Sequence, residues 1–158
     1  MRDVVIAGVG MTKFGKQIDR SYASLVKEAT GEALKDAGCG VQAVQAVYYA
    51  NTGAGLMYGQ ESVRGQHATR GTGLEGVPLI NIENACASGS TALNQAWLAV
   101  ASGHVDVAIA IGADKLTHAD KARSFSFMTS VLDPTRLVET RADLPGGRRS
   151  VFLDLYSR

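Results

Sequence analysis

Residues 77–112 read VPLINIENACASGSTALNQAWLAVASGHVDVAIAIG, and this stretch decides the fold. Val77 to Ile82 predicts a strand, apolar except for Asn81, with Pro78 near its start, where a missing N–H is tolerated. From Ser88 to Ser102 the residues Ala92, Leu93, Ala96, Trp97, Val100 and Ala101 recur at helical spacing as one apolar stripe, and Gly103 ends the pattern. Val105 to Ile111 is again apolar, except for Asp106. Apolar runs that do not alternate with polar residues suit strands covered on both faces, the habit of parallel sheets. Strand, helix and strand in that order form one crossover unit.

The same alternation extends toward the amino terminus. Val4 to Val9 is an apolar, β-branched run closed by Gly10 and predicts a first buried strand. Between Ser21 and Ala37, the residues Tyr22, Leu25, Val26, Ala29, Ala33, Leu34 and Ala37 lie three or four apart, while Lys27, Glu28, Glu32, Lys35 and Asp36 take the other face; Gly38 follows as a stop. Val44 to Ala50 predicts another strand, Asn51 to Gly59 a Gly-rich loop, and Gln60 to Thr69 a second helix. The expected order is βαβαβαβ, an α/β protein with a parallel-rich sheet covered by helices on both faces.

Beyond Gly112 the pattern breaks. Residues 114–149 mix charges with breakers at Pro134, Pro145, Gly146 and Gly147 and predict an irregular excursion. The chain then reaches an apolar run from Val151 to Tyr156, which predicts the start of a further buried element and a longer parent chain.

Composition narrows the function classes. The 158 residues carry 46% hydrophobic and 20% charged side chains with a formal net charge of +1, which is ordinary globular chemistry and offers no global field for nucleic acid or anionic membrane. Eight of the 16 Lys and Arg fall between Lys115 and Arg158. Lys115, Lys121 and Arg123 follow a strand end, the edge where open α/β sheets bind ligands, and phosphate recognition competes there with a plain solvated face. No apolar run approaches a membrane span, the amino terminus has no leader-like segment, and Cys39 and Cys86 lack disulfide or zinc spacing. A cytoplasmic protein without a metal is expected. No histidine pair among His67, His104 and His118 has ligand spacing, and surface or capping duty suits each.

Cys86 carries the chemistry. It lies in Asn84-Ala85-Cys86-Ala87-Ser88-Gly89-Ser90, between an expected strand and an expected helix start. A lone cysteine is most often a small buried hydrophobe. Here the unpaired N–H groups of a helix N-terminus favour the thiolate, and tiny neighbours leave room for a carbonyl substrate. The implied chemistry is acyl transfer through a thioester. Cys39, directly after Gly38, has a structural reading instead. Gly8-Val9-Gly10 fails as a dinucleotide fingerprint, because the next glycine, Gly15, is five residues on where three are needed. Ser88 and Ser90 do not form the Gly-x-Ser-x-Gly elbow of serine hydrolases.

The segment Glu83 to Leu93, with the opening Gly8-Val9-Gly10-Met11-Thr12-Lys13-Phe14-Gly15 and the later Asp106-Val107-Ala108-Ile109-Ala110-Ile111-Gly112, resembles the thiolase superfamily, within it the sterol-carrier-protein-type and archaeal acetyl-CoA acetyltransferase branch. The resemblance implies a thiolase-like fold in which residues 1–114 are most of the first of two similar core halves and residues 115–158 begin an inserted loop domain. It implies that Cys86 is the nucleophile of a coenzyme A-dependent acyltransferase cleaving 3-oxoacyl-CoA or running the reverse Claisen condensation. The activating histidine, a second acid/base cysteine and part of the oxyanion hole belong to the family's carboxy-terminal half, so these 158 residues alone are expected to be nearly inactive. No permanently bound cofactor is implied, acyl-CoA being substrate, and a homo-oligomer, dimer or tetramer, is expected. Two alternatives stay open: a thiolase-like retro-aldol lyase or partner-dependent acyltransferase with a small companion subunit, and a non-catalytic lipid-binding module. Cys86 counts against the lyases, which tend to lack that residue.

Overall fold

The computed structural model describes residues 1–136. Its centre is a three-stranded parallel sheet of β1 (Ala46–Ala50), β2 (Leu79–Ile82) and β3 (Ala108–Gly112) in the order β2-β1-β3. Val47 pairs with Leu79 on one side and with Ile109 on the other. All five residues of β1 are buried, as a central strand in a covered sheet requires.

Alternation along β1 sorts the core into two layers. Val47 and Tyr49 face Val26 of α1 (Tyr22–Asp36), Ala68 of α3 (Arg64–Ala68), Leu74 and Ile111. Ala46, Tyr48 and Ala50 face Ala92, Ala96 and Ala99 of α4 (Ser88–Ala101) together with Ile82. Helices therefore cover both faces of the sheet. The contact surface of α4 is built of alanines, which bring the helix close, while Leu93 and Trp97, expected in its buried stripe, are 53% and 40% exposed.

The expected helix from Ser21 forms as α1, with the Ser21 hydroxyl accepting the Ser24 N–H as N-cap. At its far end Gly38 takes φ +64 and the Cys39 N–H closes on the Leu34 carbonyl, which gives Cys39 its structural place. The Gly-rich loop after β1 contains a short helix that the sequence did not announce, α2 (Ala54–Tyr58), and the helix expected over residues 60–69 shrinks to α3. Residues 114–136, expected to be irregular, include α5 (Lys121–Ser130), capped by Asp120. The apolar run 151–156 lies outside the described residues.

The strand expected at Val4 to Val9 does not form. The segment pairs with neither open edge of the sheet, the outer sides of β2 and β3, and lies along α1 instead. There the Val9 N–H donates to Asp36 at 2.9 Å and the Met11 N–H to Glu32 at 3.2 Å. Gly8 and Gly10 make the approach possible: a Cβ on Gly10 would stand 2.1 Å from the Ala29 carbonyl oxygen. Val5, Ile6 and Val9 consequently stay exposed.

Leu74 is 2% exposed and closes the α1 side of the core from a loop. Leu74→Ala is expected to cost about 2–5 kcal/mol, the range for emptying a packed aliphatic site. Chemical unfolding in urea, at unchanged slope, measures it.

Candidate active site

Parallel strands end on the same side, so the turns after β1, β2 and β3 meet at one edge of the sheet. The turn after β2 holds Cys86. Ile82 is buried at the strand end, the chain rises through Glu83 and Asn84, and α4 begins at Ser88. Cys86 is exposed, two residues before the helix. Ala85 makes the turn at φ +45, a left-handed conformation that carries strain in any residue with a Cβ.

The start of α4 has no side-chain cap, because its N-cap residue is Ala87. The Ser88 N–H donates to the Ala85 carbonyl and the Thr91 N–H to that of Ala87, while among the described residues no side chain caps the intervening first-turn amides, those of Gly89 and Ser90. First-turn hydroxyls fold back instead of capping: Ser90 and Thr91 each donate to the Ala87 carbonyl at 2.9 Å. The arrangement leaves positive dipole ends beside the Cys86 turn, where an oxyanion developing on a bound carbonyl is favoured.

Ser88 is buried and ties the turn together. Its hydroxyl accepts the Asn84 N–H at 2.8 Å and donates to the Ala85 carbonyl at 2.7 Å. Asn84 reaches forward to the Thr91 hydroxyl at 3.0 Å.

The turn after β1 meets this one from the side. Asn51, 2% exposed, donates through Nδ2 to the Ala113 carbonyl at 2.7 Å and to Asp114 Oδ1 at 3.0 Å, and accepts the Ala54 N–H at the start of α2. Asp114 also accepts the N–H groups of Thr52 at 3.1 Å and Gly53 at 2.7 Å. The residue as a whole remains exposed, yet its carboxylate is crowded by the β1 turn. That desolvation raises its pKa above the ordinary value, outweighing the Gly53 and Thr52 hydrogen bonds, with Arg64 lowering it and Glu83 raising it through charge. Arg64 spans the same edge: its Nη1 donates to the carbonyls of Asn51 and Thr52 at 3.3 Å each, and its Nη2 reaches Glu61 at 3.4 Å. A cavity of about 530 Å³ opens here between Thr52, Arg64, Glu83, Ala85 and Phe127 of α5.

Two of the three cations weighed for phosphate binding, Lys115 and Arg123, are otherwise engaged, while Lys121 is exposed at the start of α5. Lys115 is 8% exposed, its Nζ lies 4.6 Å above the Tyr58 ring, and it donates to the carbonyls of Ile18 and Arg20. Burial pulls its pKa down, with Asp19 acting in the other direction. Arg123 donates to the Met57 carbonyl at 2.9 Å. Both therefore fasten loops rather than hang as mobile loop charges. His67 and His104 are exposed, and His118 Nδ1 accepts the Asp120 N–H at 2.9 Å, a local turn duty. Among the described residues no hydrogen bond joins a histidine to Cys86, and no group of three or more His, Cys, Asp or Glu gathers around a point that could hold a metal. No helix among them is long and apolar enough to cross a membrane.

Asn51, Thr52, Arg64 and Asp114 escaped the sequence reading. A readable signal existed in Asn51-Thr52-Gly53 directly after a strand, since asparagine before a glycine often turns the chain through its side chain. Its partner Asp114 lies 63 positions away, and no local pattern links the two.

Comparison with known proteins follows the same lines. Residues 4–141 match the thiolase N-terminal domain family. The chain is 41% identical over 146 residues to an acetyl-CoA acetyltransferase of Methanocaldococcus jannaschii, an alignment covering 90% of this chain and 33% of that protein. It is 39% identical over 143 residues to an acetyl-CoA acetyltransferase of Methanothermobacter thermautotrophicus, covering 90% and 34%. Sterol carrier protein 2 of Gallus gallus is 41% identical over 135 residues, covering 84% of this chain and 24% of that protein. The chain thus spans about a third or less of the length of the curated relatives it matches.

The raised carboxyl of Asp114 fixes the sign of a pH effect. The folded state holds this proton to higher pH than the unfolded chain does, so the group's contribution is fully present below the ordinary aspartate pKa of about 3.9 and is lost as pH rises through the folded value. In urea titrations, the stability of wild type minus that of Asp114→Asn is expected to fall as pH rises above the ordinary aspartate range of about 4 and through the raised folded value. A flat or rising difference contradicts it.

Proposed function

We propose, starting from the fact that this chain belongs to the thiolase family, that the intact protein is a coenzyme A-dependent acyltransferase working through an acyl-cysteine at Cys86. The architecture is the α/β, parallel-sheet, thiolase-like fold. The observation that carries the reading is the exposure of Cys86 on a strained turn at the start of a helix without a side-chain cap.

In this reading the Cys86 thiolate attacks the thioester carbonyl of an acyl-CoA, or the 3-keto carbon of a 3-oxoacyl-CoA. The new bond is S–C. The bond that breaks is C–S to coenzyme A in the first case, releasing the coenzyme A thiolate to take up a proton. In the second it is C–C, releasing acetyl-CoA once its α-carbon is protonated. Negative charge gathers on the carbonyl oxygen in the transition state, where uncapped amides of α4 are well suited to meet it. The proton-handling group comes from residues other than His67, His104 and His118, whose surroundings support surface and turn roles. Residues 1–114 act as the core half that presents the nucleophile, residues 115–158 begin a loop domain, and the intact protein works as a cytoplasmic homo-oligomer.

A second reading, lipid carriage without acyl transfer, draws on relatives named sterol carrier protein 2 and non-specific lipid-transfer protein-like 2. One experiment separates the two. Incubated with acetyl-CoA and digested, the intact protein is expected to yield an acetylated peptide containing Cys86, and Cys86→Ser is expected to lose roughly a thousandfold or more in turnover. Unchanged turnover in the variant overturns the acyl-cysteine reading; saturable binding of a fluorescent sterol with no adduct favours carriage.

A further inference from the structure

We propose that Thr52 is a positioning residue for Cys86: with Ser88 it clamps the carbonyl of Ala85 and so holds the turn that presents the sulfur. Its purpose rests on the acyl-cysteine reading above; its test does not.

The turn needs holding. Ala85 and Val63 are the two residues other than glycine at positive φ among the described residues, and a Cβ there crowds the backbone. Left alone, Ala85 relaxes to negative φ, and the following residue swings away from the first turn of α4. What opposes this is the set of donors on the Ala85 carbonyl: the Ser88 N–H at 3.1 Å, the Ser88 hydroxyl at 2.7 Å and the Thr52 hydroxyl at 3.1 Å.

Proton accounting singles out Thr52. The Ser88 oxygen already accepts the Asn84 N–H, and its one proton goes to the Ala85 carbonyl. The Thr52 hydroxyl, 3.0 Å from the Ser88 oxygen, is then the donor of the pair and directs its proton to the Ser88 oxygen and the Ala85 carbonyl. A hydroxyl-bearing residue is therefore required, and a β-branched one keeps it aimed because its χ1 is stiff.

Thr52 is also the one member of the clamp whose place is set from outside the turn. It lies 33 positions before Ala85, its N–H is held by Asp114 at the end of β3, and its carbonyl receives Arg64. The clamp thus transmits the position of two strand ends to a third.

The test uses the intact protein and iodoacetamide at neutral pH, with alkylation of Cys86 followed by mass spectrometry against Cys39 in the same molecules. Cys39 sits at the far end of α1 and reports any general loosening. Thr52→Val is expected to lower the Cys86-to-Cys39 rate ratio by about five- to tenfold, the scale of one lost buried hydrogen bond, with the Cys39 rate itself unchanged. Thr52→Ser is expected to restore the ratio to within about twofold. If Thr52→Val unfolds, seen as a jump in Cys39 alkylation, Thr52→Ala makes the same comparison without the added methyl. A wild-type ratio in the valine or alanine variant, or a serine variant no better than valine, overturns the clamp. Missing acetylation of wild-type Cys86 with a Thr52-dependent alkylation ratio sinks the acyl-cysteine reading and leaves the clamp standing.

Discussion

Two strands that lie side by side must part where their chains turn away, and the backbone N–H groups freed there need acceptors. At the end of β1 the acceptor is a single carboxylate, Asp114, which takes the N–H groups of Thr52 and Gly53 and the Asn51 amide at once. Much else at this edge follows from that contact. It sets where α2 begins, through the Asn51 oxygen on the Ala54 N–H, and where the Thr52 hydroxyl stands. Desolvation of the carboxylate is the cost, and several hydrogen bonds offset part of it.

The second constraint is the close fit of α4 on the sheet. Ala92, Ala96 and Ala99 let the helix approach the β1 face carrying Ala46, Tyr48 and Ala50, so the start of the helix is fixed relative to the strand that precedes it. With five residues, Glu83 to Ala87, to join the two, the chain must turn sharply, and Ala85 absorbs the turn at positive φ. A glycine would adopt that conformation without strain but would hold it less firmly. Alanine with a clamp on its carbonyl exchanges freedom for position.

Much of this was legible in the residues themselves. Periodicity found α1 and α4 almost to the residue, and largely apolar runs found β1, β2 and β3, because burial on one or two faces writes directly into spacing. The run at Val4 to Val9 shows the limit of that signal. Apolar character reports a tendency to be covered, whereas a strand also has to pair with a sheet edge, and this segment instead gives the N–H groups of Val9 and Met11 to Asp36 and Glu32 of α1. The stripe of α4 misled in a similar way: spacing located the face, but the small side chains on it, not Leu93 and Trp97, make the contact.

The exposed turn that carries Cys86, the nucleophile proposed above, was readable because its signal is local, a sulfur in a turn of tiny residues between a strand and a helix. Thr52, Arg64 and Asp114 were not, because each is an ordinary polar residue whose role exists only once three strand ends converge. The difference has a physical root. A nucleophile can be specified by its immediate neighbours, since helix dipole and exposure act within a turn or so. Holding that nucleophile to within a few tenths of an ångström calls for partners from other elements, as a turn cannot brace itself against its own flexibility. At this edge the brace runs from Asp114 through the Thr52 backbone and hydroxyl to the Ala85 carbonyl, one residue from the sulfur-bearing position.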